Sequence, residues 1–288
     1  MDEIKNVIEL ENVTKDFGDF KLDDVSFSVP EGSVCGFIGQ NGAGKTTTIN
    51  LILDVIKRDA GQIKVFGESI DAGSARLREN IGVVFDEMGF HEFMTGRDIN
   101  IMMKNIYKEW DEKAFFDYLK RFSLPSKKKC GAFSRGMRMK LQIAVALSHN
   151  AKLLIMDEPT SGLDPIVRNE MLDIFREYVL NEDHTIFLSS HITGDLEKLA
   201  DEVVFINAGK IVLSGNKDEI LERHGILKCR KEELKKVSTS LIVHSESGSF
   251  SAECLVNDRE AAEKLYPDMV IEPAPLEQIM IHYVAGKR

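Results

Sequence analysis

The stretch Gly39-Gln40-Asn41-Gly42-Ala43-Gly44-Lys45-Thr46 constrains this chain more than any other part of it. It follows the apolar run VCGFI and precedes INLILDVI, so it reads as the turn between a buried strand and a helix. Gly39, Gly42 and Gly44 lack the side chains that would hold an anion away from the backbone N–H groups. The helix that follows offers its own unpaired amides to the same point. The pattern G-x-x-x-x-G-K-[ST] in a strand–turn–helix setting therefore describes a phosphate cradle. Lys45 is placed to reach the β- and γ-phosphates, and the Thr46 hydroxyl to meet a divalent cation. Asn41, Ala43 and Thr47 complete the set of candidate contacts.

A second stretch supports the first. LLIMDE, residues 153–158, is a buried strand that ends on two carboxylates. Asp157 is placed to hold the cation's hydration shell, and Glu158, one step on, to polarise an attacking water. Composition limits what can surround these motifs. With 288 residues, 43% hydrophobic and 29% charged, the chain can bury a large core in one large or two unequal domains. Its net charge of −10 argues against a general nucleic-acid binder. The four cysteines, Cys35, Cys130, Cys229 and Cys254, show neither metal-ligand spacing nor a disulfide framework, as expected in a reducing compartment. MDEIKNVIEL is acidic and does not read as a signal peptide, and no apolar run is long enough to span a bilayer. Work at a membrane would then require a partner.

Along the chain, residues 4–30 alternate apolar and polar positions as short antiparallel strands do, and RDAGQIKVFGESI reads as a further hairpin. IGVVF is a strand. Residues 87–150 turn helical, with strands returning at KLLIMDEP, TIFLSSH and EVVFINAGKIVLSG. A boundary falls near residue 224. Beyond it the spacing predicts a charged helix at CRKEELKK, strands at STSLIVHS and FSAECLV, a helix at DREAAEKLY, a strand at DMVIEPA and a terminal helix at LEQIMIHYV.

Taken in order, GQNGAGKTTT, FSRGM, LLIMDEPTSGLDP and LSSH resemble the ATP-binding subunit of ABC transporters over residues 4–224. The DEPTSGLDP run is highly specific to that family. The resemblance implies an α/β fold: a P-loop NTPase core with a mixed central sheet and an N-terminal antiparallel β subdomain. To this it adds an inserted helical subdomain at residues 87–150 and, in this chain, a small C-terminal α+β extension. Residues 1–224 would form the ATP-binding domain and 225–288 an extension of unassigned role. The implied substrate is ATP with Mg²⁺. Glu158 and His191 take the catalytic positions, Phe17 that of the aromatic stacking on adenine, and Thr46, Asp86 and Asp157 those near the metal. Ser161, Gly162, Leu163 and Asp164 match the loop through which two subunits communicate.

The opening of the family's signature helix, usually LSGGQ, here reads Phe133-Ser134-Arg135-Gly136-Met137. Ser134 and Gly136 keep the hydroxyl and the helix N-terminus that meet a phosphate held by the opposing subunit. Arg135 stands for a glycine and Met137 for a glutamine; SRGM variants occur among drug- and peptide-efflux members. Asp86 stands where the family has a glutamine, adding negative charge beside the metal. The implied assembly is a head-to-tail dimer with itself or a homologous subunit. It would bind a separate transmembrane subunit at the cytoplasmic face of the membrane and power transport, with efflux favoured by the SRGM form. Nucleic acid is not an expected partner. Two other readings share these motifs: an ABC-type ATPase unconnected to transport, and a nucleotide-binding regulatory subunit with weak hydrolysis. Against the first, the interval from Lys45 to Asp157 holds no coiled-coil insertion and the chain carries one nucleotide domain. Against the second, Glu158 and His191 are both present.

Overall fold

A computed structural model describes residues 5–70 and 75–286; the outer ends of the two expected domains, 1–4 and 287–288, lie outside the described residues. The chain opens with β1 (Asn6–Asp16) and β2 (Lys21–Pro30), then enters β3 (Val34–Ile38), the cradle loop and α1 (Lys45–Ile52). It continues through β4 (Ala60–Val65), β5 (Glu68–Ser69), α2 (Ala75–Glu79) and β6 (Ile81–Val84). The helical block follows as α3 (Gly96–Ile106), α4 (Glu112–Arg121) and α5 (Arg135–Ala146). The core is completed by β7 (Leu153–Asp157), α6 (Pro165–Tyr178), β8 (Thr185–Ser190), α7 (Thr193–Leu199), β9 (Glu202–Asn207), β10 (Lys210–Asn216) and α8 (Lys217–Arg223). The extension comprises β11 (Gly225–Arg230), β12 (Ile242–Ser247), β13 (Ser251–Val256), α9 (Arg259–Leu265), β14 (Val270–Pro273) and α10 (Leu276–Ala285).

Strand composition decides which sheet each strand joins. VCGFI, LLIMD and TIFLSS are buried at every position. Such runs suit a sheet covered on both faces. They lie in a six-stranded sheet of order β10-β9-β3-β8-β7-β6, parallel from β9 to β6 with β10 as an antiparallel edge. β2 instead alternates exposed and buried positions, and pairs in the antiparallel sheet β2-β1-β4-β5. Phe27 of β2, Phe37 of β3 and Phe187 of β8 join the two sheets, with ring centroids 5.3–5.8 Å apart. Contacts of that geometry contribute about 0.5–1.5 kcal/mol each beyond their burial.

The helical block is amphipathic and well capped: Thr95 and Asp98 form a reciprocal capping box on α3, and Asp111 caps α4. α5 is tied to the sheet by Gln142, which is buried. Its side-chain amide donates to the Phe85 carbonyl at 3.0 Å and accepts from the Phe85 N–H at 3.2 Å. This fixes the chain where it leaves β6, one residue before Asp86.

The expected helix at CRKEELKK does not form. Cys229 and Arg230 end the strand β11, and only a short 3₁₀ turn at Leu234–Lys236 follows. Alternation in GILKCR is masked by the adjoining charges, and the strand is fixed by partners distant in the chain, β13 on one side and β14 on the other. The apolar helix after the cradle is also shorter than INLILDVI suggests, ending at Ile52 with Asp54 at φ 55°. The extension forms the sheet β12-β13-β11-β14, and its Leu255, Ala274, Leu276 and Ile279 join the apolar cluster that contains Leu196 and Leu199 of α7. The Leu276 N–H donates to Glu197 at 2.7 Å across the same boundary.

Candidate functional site

In a parallel sheet the loops that follow the strands gather at the carboxyl edge. The order β3-β8-β7-β6 therefore brings together the cradle after β3, His191 after β8, Asp157 and Glu158 at the end of β7, and Asp86 after β6. A cleft of about 860 Å³ opens there, lined by Asn41, Lys45, Thr46, Thr47, Asp86, Asp157 and Glu158 among others. That volume lies within the usual range of small-molecule sites.

The cradle is held open by backbone geometry. Gly42 and Gly44 adopt φ 80° and 115°, in the left-handed region where a side chain would be strained. Gly44 is also the N-cap of α1, and no side chain caps that end, which leaves the helix amides for an anion. The Lys45 ammonium is buried and donates to the carbonyls of Gly39 at 2.7 Å and Gln40 at 3.2 Å. It also lies 3.1 Å from Glu158 Oε1, a buried oxygen with no directed hydrogen bond among the described residues. Glu158 Oε2 is 2.7 Å from His191 Nδ1. Lys45, Glu158 and His191 thus form one continuous polar row.

The acidic end of β7 is organised from behind. Thr46 donates its hydroxyl to Asp157 Oδ2 at 2.7 Å, and Ser189 donates to Asp157 Oδ1. The Glu158 N–H donates to the Ser189 carbonyl and hydroxyl at 3.2 and 3.0 Å. Glu158 itself sits at φ 50°, a conformation costly for a residue with a branching-free but bulky side chain. Strain of this kind persists where neighbouring bonds over-determine it, and it gathers at functional positions. Thr46, Asp157 and the half-exposed Asp86 supply only oxygen donors, a set that suits a hard divalent cation retaining much of its water. Among the described residues no cluster of three or more His, Cys, Asp or Glu forms an all-protein cage.

Other expected residues stand apart from the cleft. Gly39 and Ala43 are buried at the foot of the cradle. A side chain on Gly39 would come within 2.6 Å of the Ile206 carbonyl. Phe17 is 49% exposed and does not line the cleft, whereas Phe20 does. Lys15 holds its ammonium 5.6 Å from the Phe17 ring centroid. Ser134 caps α5 by accepting from the Met137 N–H at 3.3 Å. Met137 packs against the core. A Cβ on Gly136 would meet nothing closer than Val167 at 3.5 Å, so the fold of the single chain does not require glycine there.

Ser161, Gly162, Leu163 and Asp164 follow directly. Asp164 caps α6 through the N–H groups of Ile166 and Val167, both at 3.1 Å. Beneath them the buried Asp195 accepts from Thr160 at 2.7 Å and from Arg168, whose Nη2 lies 2.6 Å away. Sequence reasoning passed over this network and the bracing role of Ser189. LSSH contains Ser189 within a quoted motif, but nothing along the chain links Thr160 with Asp195.

Two of the departures from the family pattern, Asp86 and Arg135, meet. Arg135, at the start of α5, forms an ion pair with Asp86 at 2.5 Å within the same chain. Its guanidinium also lies against the Gly162 backbone, 3.1 Å from where a Cβ would stand.

Comparison with known proteins bears on the family and the fold. A family model described as "ABC transporter" matches residues 22–161. The bacitracin transport ATP-binding protein BcrA of Bacillus licheniformis is 39% identical over 215 residues, covering 73% of this chain and 69% of that protein. An uncharacterised ABC transporter ATP-binding protein of Bacillus subtilis (strain 168), YhcH, is 31% identical over 289 residues, covering 98% of this chain and 92% of its own. Among solved structures, the ADP conformation of MJ1267, an ATP-binding cassette of an ABC transporter, superposes with a TM-score of 0.63. It is 28% identical and covers 74% of this chain and 92% of that one.

Proposed function

The chain belongs to the ABC transporter family as one of its ATP-binding subunits, and from that premise we propose how its residues divide the work. Two copies, or this chain and a homologous one, close head-to-tail over two ATP molecules; two identical copies make an isologous arrangement with two equivalent sites. Residues 1–224 form the ATP-binding unit, with the helical subdomain at 87–150, and residues 225–288 are an extension docked on α7. Gly39 to Thr47 hold the phosphates of one ATP, Phe17 carries its adenine, and Ser134, Arg135, Gly136 and Met137 of the other subunit close over it. The loop from Ser161 to Asp164 meets its counterpart across the interface.

Thr46 and Asp157, with Asp86 beside them, would hold Mg²⁺, whose charge when bound offsets that of the β- and γ-phosphates. Lys45 binds and orients the phosphates. Glu158 accepts the proton of the attacking water, and His191, hydrogen-bonded to it, keeps its carboxylate aimed. The rest is positioning and exclusion of water by the closing subunit. The single observation that carries this reading is the row Lys45–Glu158–His191, with contacts of 3.1 and 2.7 Å set beside the Thr46–Asp157 pair.

Among the described residues no helix is long and apolar enough to cross a membrane. In the reading proposed here the chain acts on a separate transmembrane subunit, at the cytoplasmic face. BcrA's name assigns that relative to bacitracin transport, and the SRGM form of the signature supports efflux for this chain. Purified chain should show ATPase activity that requires Mg²⁺ and disappears in Glu158→Gln. Nucleotide binding without any hydrolysis by the unaltered chain would instead favour a regulatory subunit.

A further inference from the structure

Asp86 stands between two sets of neighbours. It lines the nucleotide cleft with Lys45, Thr46 and Asp157, and it pairs with Arg135 of the signature helix. Arg135 likewise has two calls on its charge: Asp86 in its own chain, and the phosphate of the opposing subunit that the neighbouring Ser134 and Gly136 would cap. One carboxylate on a single ion pair cannot serve both at full strength. We propose that the Asp86–Arg135 pair is an exchangeable latch that couples the two halves of the sandwich: Mg-ATP entering the chain's own cleft draws Asp86 from Arg135, and the released guanidinium is then presented to the partner's ATP. The inference rests on the head-to-tail reading above.

Three observations support it. Both side chains are about half exposed, at 49% and 50%, so the pair can open without emptying a buried space. The ends of the latch are fixed where they join the fold: Gln142 holds Phe85 through two hydrogen bonds, and Ser134 caps the helix that begins with Arg135. Motion is thereby confined to two side chains and the short backbone that bears them. Finally, the Arg135 guanidinium rests on Gly162, so its departure is felt at once by the interface loop. These two departures from the family's usual residues, Asp86 and Arg135, are thus physically complementary. An aspartate at 86 without an arginine at 135 would leave an unpaired negative charge beside the site.

Arg135→Gln removes the charge and keeps a good helix former at the start of α5. The test measures equilibrium binding of Mg-ATP to the full chain carrying Glu158→Gln, dilute enough to be monomeric, and separately the Mg-ATP concentration that drives dimerisation. Adding Arg135→Gln should tighten monomer binding about two- to fivefold, the range exposed ion pairs command, because Asp86 no longer has a competitor. The same variant should need more Mg-ATP to dimerise. The gain in monomer affinity should vanish when EDTA replaces Mg²⁺, and again when Asp86→Asn is combined with it. A merely structural role would move both readouts the same way. Unchanged or weaker monomer binding, or a gain that survives EDTA or Asp86→Asn, overturns the latch. No ATP binding by the chain in any form would overturn the functional reading beneath it.

Discussion

The two halves of the nucleotide site differ sharply within one chain. On the cradle side the groups already hold one another: Lys45 is 6% exposed, Thr46 bonds Asp157, and Glu158 lies between Lys45 and His191. On the signature side the same physical tools are turned to local use. Ser134 caps its own helix, Arg135 pairs with Asp86, and Gly136 has room for a Cβ in ordinary contact with Val167. The first half is complete without a partner. In the second, Gly136 has no role in the monomer that would demand a glycine. What a single chain leaves unexplained is what the proposed assembly would use.

The largest expected effect tests the complete half. Glu158→Gln keeps the shape and removes the base, so turnover should fall about 10²–10⁴-fold while ATP affinity is retained. Loss of binding together with turnover would mean that Glu158 is structural and that the two halves are less distinct than described.

Asp195→Asn acts on the support beneath the interface loop. Asp195 is 1% exposed and answers both Thr160 and Arg168, so the substitution leaves a partly buried guanidinium without its counter-charge. Stability should drop by roughly 2–3 kcal/mol, less than for a fully buried pair because Arg168 reaches solvent. Denaturant unfolding measures this directly, and an unchanged midpoint would remove the network from the account.

Gly136→Ala separates fold from assembly. In the free chain alanine fits, and its helix propensity favours it by up to about 1 kcal/mol, so the monomer should be as stable or slightly more so. Dimerisation should nonetheless weaken, by about tenfold for each 1.4 kcal/mol lost at the phosphate. A monomer that loses stability would show that the glycine serves the chain itself.

The smallest effect should come from acid, and from neither half. Burial holds His149, His224 and His282 below the ordinary histidine range, with the neighbouring His244 adding to the effect on His282. The unfolded chain takes up protons as pH falls through the ordinary histidine value of about 6.5, while the folded chain does so only at lower pH. Their contribution is thus whole above that point and is lost as pH falls below it. Melting should be lower at pH 5.5 than at pH 7.5, by roughly 2–4 °C per kcal/mol lost. A flat profile would contradict the burial of these rings.

Legibility in the sequence followed the same division. The cradle and the end of β7 could be read because their chemistry is written in contiguous residues, each flanked by a run whose burial is unambiguous. Phe17 was assigned only by resemblance; the structure puts Phe20, three residues on, against the cleft. β11 was misread because a strand held by β13 and β14 carries no local mark that outweighs CRKEELKK. The Asp86–Arg135 pair was hidden for a different reason. Its members lie 49 positions apart, and each read alone as a weakness in the motif. Only the packing of α5 against β6 makes them one feature.

The central claim is that the open half is completed by a second copy or a homologous subunit. Light scattering on purified Glu158→Gln, with and without Mg-ATP, tests it most directly. The account predicts a monomer without nucleotide and twice that mass with Mg-ATP, reverting to monomer when Gly136→Ala is added. A chain that binds Mg-ATP tightly yet stays monomeric at high concentration, alone and with a homologous subunit, would contradict it.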